Sequence, residues 1–130
     1  MAVDLPRGNG EMILVADDEQ AICELVSAEL SSSGYRVLAA RNGAEAVALF
    51  REHRAEVRLF ITDSAMPVMS GREVVAAVRK LNPNLPIILT SGDAADHKTG
   101  NISVVPKPFS LGDILVSIQQ NLARESRSRT

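Results

Sequence analysis

The sequence predicts an α/β domain built on a parallel sheet with helices on both faces, and three observations lead there. Five short apolar runs rich in β-branched residues recur along the 130 residues, helical periods separate them, and turn-forming residues mark the joints. Strands that alternate with helices imply right-handed βαβ crossovers, which lay helices over both faces of a parallel sheet.

The elements follow in order. MILVA (12–16) reads as the first buried strand, and weak helical periodicity covers 20–32 until Ser33-Gly34 closes it. RVLAA (36–40) is the second strand. The next helix, over 44–53, is opened by Asn42-Gly43 and carries Ala46, Val47 and Phe50. RLFIT (58–62) is the third strand, and 71–81 is the clearest of the early helices, with Val74, Val75, Val78 and Leu81 on one face. PIILTS (86–91) and ISVV (102–105) complete the strands. Between these two, GDAADHKTGN (92–101) is polar and aperiodic, so a short or irregular helix is the most it supports. The last helix carries an apolar stripe of Leu111, Ile114, Leu115, Ile118 and Leu122, and Ser110 with Asp113 resembles a capping box at its start. Residues 1–10 are expected to be a flexible N-terminal segment or linker, 11–123 the folded domain, and 124–130 a flexible tail whose Arg124, Arg127 and Arg129 are solvated.

Bulk properties narrow the function. A chain of this length fits one domain that buries roughly 65–70% of its unfolded surface. A formal charge of −2 with mixed signs leaves no large basic footprint, which disfavours nucleic acid and anionic membranes as partners. The start MAVDLPRGNGE lacks the regions of a secretory signal, so a cytoplasmic protein is expected. Cys23, the single cysteine, sits among Ile22, Leu25 and Val26 and reads as a packing residue.

Polar residues collect at the strand ends, where parallel α/β sheets bind their ligands. The first strand ends in Asp17-Asp18-Glu19, the third in Thr62-Asp63, the fourth in Thr90-Ser91-Gly92, and the fifth runs into Lys107-Pro108-Phe109. Carboxylates crowded at that edge repel by about 4 kcal/mol per pair at 4 Å and an effective dielectric of 20. A hard cation offsets this, and Mg²⁺ characteristically takes one or two carboxylates, waters and a phosphate oxygen. Lys107 adds a positive charge and Ser91 a hydroxyl donor. These parts suit phosphoryl transfer, with Asp63 as the nucleophile and Asp17 and Asp18 left for the metal.

From about Glu11 to Leu122 the chain resembles the receiver domain of two-component response regulators. The motifs that carry the resemblance are ILVADDE (13–19), ITDSAMPVMSG (61–71), PIILTSG (86–92) and VVPKPF (104–109), in family order. It implies a flavodoxin-like, doubly wound, five-stranded parallel sheet of order 2-1-3-4-5. It also implies roles: Asp63 as phosphoacceptor and metal ligand, Asp18 as direct Mg²⁺ ligand, and Asp17 as a ligand through water. Ala65 would bind the metal through its backbone carbonyl, Ser91 would be the switch hydroxyl, and Lys107 would pair with the phosphoryl group. The implied phosphodonor is a histidine kinase, in cis or in trans, with a histidine phosphotransfer protein as a further partner. The Lys107–Pro108 bond is usually cis in the family.

Blander readings stand beside these. A carboxylate pair like Asp17-Asp18 is most often a helix cap facing water, and Ser91 alone would be a turn residue with Thr90 as its competitor. The four strand ends taken together favour the functional reading, and the spacing from Pro86 favours Ser91. Glu19 reads as helix-dipole compensation, Met66-Pro67 and Gly71 as loop shaping, His53 and His97 as surface residues, and Phe50, Phe60 and Phe109 as core. Two departures from the family bear on output. Ser91 and Lys107 are only 16 positions apart, which points to a shortened or distorted fourth helix, and Val104 stands where receivers commonly carry Tyr or Phe. The expected result is a domain that stays monomeric.

Rival functions fare less well. A haloacid-dehalogenase-type phosphatase needs a second acid two residues after the nucleophile, and that position is Ala65. No GxxxxGK[ST] or GxGxxG follows the first strand. A pseudo-receiver, a binding module without phosphorylation, sits poorly with retention of every acidic, hydroxyl and lysine position. The chain ends soon after the last helix, so no DNA-binding output domain is expected, and LPRGNGEMILVADDE looks like the junction into the C-terminal receiver of a hybrid histidine kinase.

Overall fold

The strand β1 (Met12–Ala16) is buried at all five positions, as is β4 (Ile87–Ser91), so both need cover on each face. A computed structural model, which describes residues 5–92 and 102–128, shows how that cover is supplied. The remaining elements are α1 (Gln20–Ser32), β2 (Arg36–Ala40), α2 (Gly43–Glu52), β3 (Val57–Asp63), α3 (Gly71–Leu81), β5 (Ser103–Pro106) and α4 (Leu111–Ser128). The strands form one parallel sheet of order β2-β1-β3-β4-β5. This is the doubly wound, flavodoxin-like arrangement.

Alternation along each strand divides the core. Leu14, Phe60 and Ile87 meet Ala46 and Phe50 of α2 and Val74, Val75 and Val78 of α3. Ile13, Val15, Ile61 and Ile88 meet Cys23, Val26 and Leu30 of α1 and Ile114, Leu115 and Ile118 of α4. Most of these side chains are fully buried, and each large aliphatic or aromatic one contributes about 1.5–3 kcal/mol of transfer free energy. The helix starts follow local chemistry. Asn42 accepts from the Glu45 amide, Ser70 and Glu73 form a reciprocal capping box, and Ser110 and Asp113 do the same for α4.

Several expectations need correction at their edges. α4 continues to Ser128, so Arg124 belongs to a helix and not to a loose tail; Glu125 reaches back to Arg58 at 3.4 Å, which ties this last stretch to β3. The residues just before β1 are also held: Gly8 and Gly10 donate backbone hydrogen bonds to Ser33 and Gly34, and a Cβ on Gly8 would collide with the Tyr35 ring. His53 is half-buried between Glu52 and Glu56, not a free surface residue. Phe109 is only partly buried against the α1 and α4 side. Of the stretch 92–101, where a short or irregular helix is expected, the described residues include only Gly92, and His97 lies outside them.

Candidate phosphoacceptor and metal site

The strand order places β2 and β3 on opposite sides of β1, which opens a crevice at the C-terminal ends of β1 and β3. At β1, the last ladder bond runs from the Asp17 amide to Ala40 O at 3.1 Å. The Asp17 carboxylate then turns the chain into α1 by accepting the Glu19 amide at 2.9 Å. Glu19 is the N-cap residue, yet its side chain makes no capping bond, so Asp17 does the local work expected of its neighbour.

At β3, Ser64 donates to Thr90 O at 3.0 Å, and Asp63 Oδ1 accepts the Ala65 amide at 3.3 Å. The chain can double back only because residue 71 is glycine. Gly71 N donates to Ser64 O, and a Cβ there would overlap the Asp63 carbonyl. Sequence reading assigned Gly71 to loop shape but missed this contact, which no motif in a single sequence announces. In the same loop Val68 is fully exposed at φ 69°, and the Met69 amide donates to Pro67 O at 2.7 Å. This is a γ-turn centred on a β-branched residue, a strained conformation.

At β5, Lys107 donates its amide to Ser91 O at 2.7 Å, and the Lys107–Pro108 bond is cis, as the resemblance implied. The lysine side chain then reaches across the crevice, placing Nζ 3.1 Å from Asp63 Oδ1. Ser91 is buried at the end of β4, opposite Pro106 in the ladder, while Thr90 is paired with Asp63.

The three acids expected to converge do so: one oxygen each from Asp17, Asp18 and Asp63 lie within 4.8 Å of one another. Asp17 and Asp63 are each only 4% exposed, whereas Asp18 faces solvent. Burial pushes the Asp17 carboxyl above its ordinary range, and the charges of Asp63 and Asp18 add to this against the Glu19 amide and Lys107. Three carboxylates beside one lysine leave excess negative charge on hard oxygen donors. That donor set fits Mg²⁺, with the exposed Asp18 side open for water and a phosphate oxygen. Ala65, exposed at the loop start, is close to Asp63 through its amide.

The doubly wound fold, with three carboxylates and a lysine gathered at its strand ends, defines a class of α/β protein that comparison with known proteins makes specific. The family described as the response regulator receiver domain matches residues 13–119, and the chain belongs to that family. It is 32% identical over 126 residues to the probable transcriptional regulatory protein TcrX of Mycobacterium tuberculosis, covering 91% of this chain and 53% of that protein. Against the sensor kinase CckA of Brucella abortus it is 32% identical, covering 95% of this chain and 14% of the kinase. The chain thus spans about half or less of the curated relatives it matches. Among solved structures, a Clostridium thermocellum receiver domain superposes with TM-score 0.82 at 27% identity, covering 88% and 96% of the two chains. Vibrio cholerae CheY4 superposes with TM-score 0.79 at 31% identity, covering 86% and 98%. Receiver domains of this family are signalling domains of two-component systems, not enzymes acting on a separate metabolite. No helix among the described residues is long and apolar enough to cross a membrane.

Proposed function

We propose that Asp63 accepts a phosphoryl group from the phosphohistidine of a histidine kinase, in cis or in trans, in a Mg²⁺-dependent step. The observation that carries this reading is the buried Asp63 carboxylate beside Lys107 Nζ at 3.1 Å and within a 4.8 Å cluster with Asp17 and Asp18.

The chain's own groups divide the work. Asp63 attacks phosphorus in line; its new O–P bond forms as the P–N bond breaks, and the electron pair returns to the imidazole nitrogen. The bonds from Lys107 and the Ala65 amide orient the carboxylate before attack. Lys107 then neutralises charge on the phosphoryl oxygens, and the Ser91 hydroxyl donates to one of them. Asp18, Asp63 and the Ala65 carbonyl would hold Mg²⁺ directly and Asp17 would hold it through water. The ion would supply charge neutralisation on the transferring group. The phosphoryl group can pass on to a histidine phosphotransfer protein. The kinase, the phosphotransfer partner and a cytoplasmic setting all belong to this proposal.

Incubation with acetyl phosphate and Mg²⁺ tests it. Intact-protein mass spectrometry should show one phosphoryl adduct, and labelling that persisted in Asp63→Asn would remove the assignment.

A further inference from the structure

The loop between β3 and α3, residues 64–70, concentrates its strain at one residue that phosphoryl transfer itself does not use. Both ends of the loop are fixed. The Ser64 amide donates to Thr90 O and its carbonyl accepts the Gly71 amide, while Ser70 and Glu73 close the capping box of α3. Between those ends two methionines are anchored. Met66 is buried in the core under α2 and α3, and Met69 packs against the same core beside Gly43. Pro67 and Val68 bridge the two, and because proline cannot change its φ, the adjustment falls on Val68.

Val68 takes it up at φ 69°, and among the described residues it is the one non-glycine residue at positive φ. Branching at Cβ makes that conformation costly, and the fully exposed side chain gains no packing to offset the cost. Glycine at this position would relieve the backbone and lose no contact. Strain of this kind persists at switch regions, where a second state of the segment relieves it.

The chemistry of Asp63 supplies such a state. Asp63 Oδ1 accepts both the Ala65 amide at 3.3 Å and Lys107 Nζ at 3.1 Å, so the free carboxylate aims the start of the loop. Once one carboxylate oxygen is esterified by phosphorus, the carboxyl group loses its charge and becomes a weaker acceptor. The phosphoryl oxygens, which lie further out, are then the strong acceptors, and the Ala65 amide follows the charge outward. With Ser64, Met69 and Gly71 held, the turn at Val68 is the part of the loop left to absorb that shift.

We propose that the Pro67–Met69 turn is a strained hinge, held tight while Asp63 is free and relaxed when Asp63 carries a phosphoryl group, so that its strain favours the phosphorylated state. The inference rests on Asp63 being the phosphoacceptor. Strain of this class corresponds to roughly five- to a hundredfold in an equilibrium.

Beryllofluoride with Mg²⁺ stands in for the phosphoryl group, and its affinity is read from the Ser64, Ala65 and Lys107 amide resonances in the wild type, Val68→Gly, Val68→Asn and Val68→Ile. Urea unfolding of each protein without the mimic measures the strain of the resting state. Positive φ is tolerated best by glycine, less well by asparagine and least by β-branched residues. The unfolding midpoint should therefore rise from the wild type and Val68→Ile through Val68→Asn to Val68→Gly. Beryllofluoride affinity should fall in the same order, at least about fivefold for Val68→Gly. Val68→Asn carries the comparison without the extra unfolded-state freedom that glycine brings. No gain in stability would show the turn to be unstrained, and higher midpoints with unchanged or tighter beryllofluoride binding would show that both states share the strain; either result overturns the hinge alone. A wild type that does not bind beryllofluoride would remove the phosphoacceptor reading, and the hinge with it.

Discussion

The two ends of β3 treat charge in opposite ways. At its C-terminal end Asp63 is nearly sealed from solvent and surrounded by two further carboxylates and one lysine, so its neighbourhood is too negative. At its N-terminal end Arg58 pairs with Glu125 at 3.4 Å on an open cavity that Arg79 and Arg124 also line. Just before β3 begins, Glu56 pairs with Arg36, and both side chains are half exposed. A charge's contribution here depends on what water can reach. The acidic edge should respond strongly to single substitutions, and the exposed pair at the basic edge hardly at all.

The largest expected effect is at the acidic edge. Asp63→Asn should abolish acetyl phosphate labelling while leaving the fold intact, and a residual adduct in the mass spectrum would break the contrast.

Gly71→Ala comes next. Its methyl group would overlap the Asp63 carbonyl, and backbone on both sides leaves little room to adjust. Overpacking of this kind costs about 1–3 kcal/mol. Chemical denaturation should report that loss, and labelling should slow because the same clash displaces the nucleophile. A neutral result would show that the loop yields more easily than its geometry indicates.

A subtler effect concerns Asp17, whose carboxyl is raised by burial first and by Asp63 and Asp18 next. At a pH between the ordinary and the raised value, the folded state holds a proton that the unfolded state has released. Stability is therefore lost as pH rises from the unfolded value of about 3.8 through the raised folded one. Without divalent ions, Asp17→Asn should raise Tm at neutral pH and flatten that part of the pH profile. With Mg²⁺ the order should reverse, because the wild type gains binding free energy that the variant lacks. A variant stabilised equally by Mg²⁺ would place the ion elsewhere.

Beryllofluoride, a phosphoryl mimic, sharpens the comparison at the level of output. Amide shifts should concentrate in the loops after Asp63 and Ser91, with the protein remaining monomeric in sedimentation, because Val104 replaces the aromatic through which β5 commonly responds. A stable dimer with large shifts over 102–122 would contradict this. The smallest effect belongs to the basic edge: Glu56→Gln should change stability by no more than about 0.5 kcal/mol in urea unfolding, as exposed ion pairs do. A cost of several times that would mean the Arg36 pair is structural after all.

Much of this was legible before any fold was in hand. Apolar runs such as 12–16 and 86–91 read as buried strands, and the 3.6-residue stripes of 71–81 and 111–122 read as helices. Those are local periodicities, and a single chain displays them. Asp17, Asp63, Ser91 and Lys107 could be collected because each ends or follows a strand, and parallel topology sends all such ends to one edge. Contacts between distant segments left no comparable trace. Gly71 against the Asp63 carbonyl, the tether of Gly8 and Gly10 to the end of α1, and the helical course of Arg124 depend on the distance between segments far apart in sequence. Arg58 inside an otherwise apolar strand lines a cavity for which no local pattern prepares. The cavity emerged only when α3 and α4 brought Arg79 and Arg124 beside it, since periodicity says which face a residue takes but not what stands opposite.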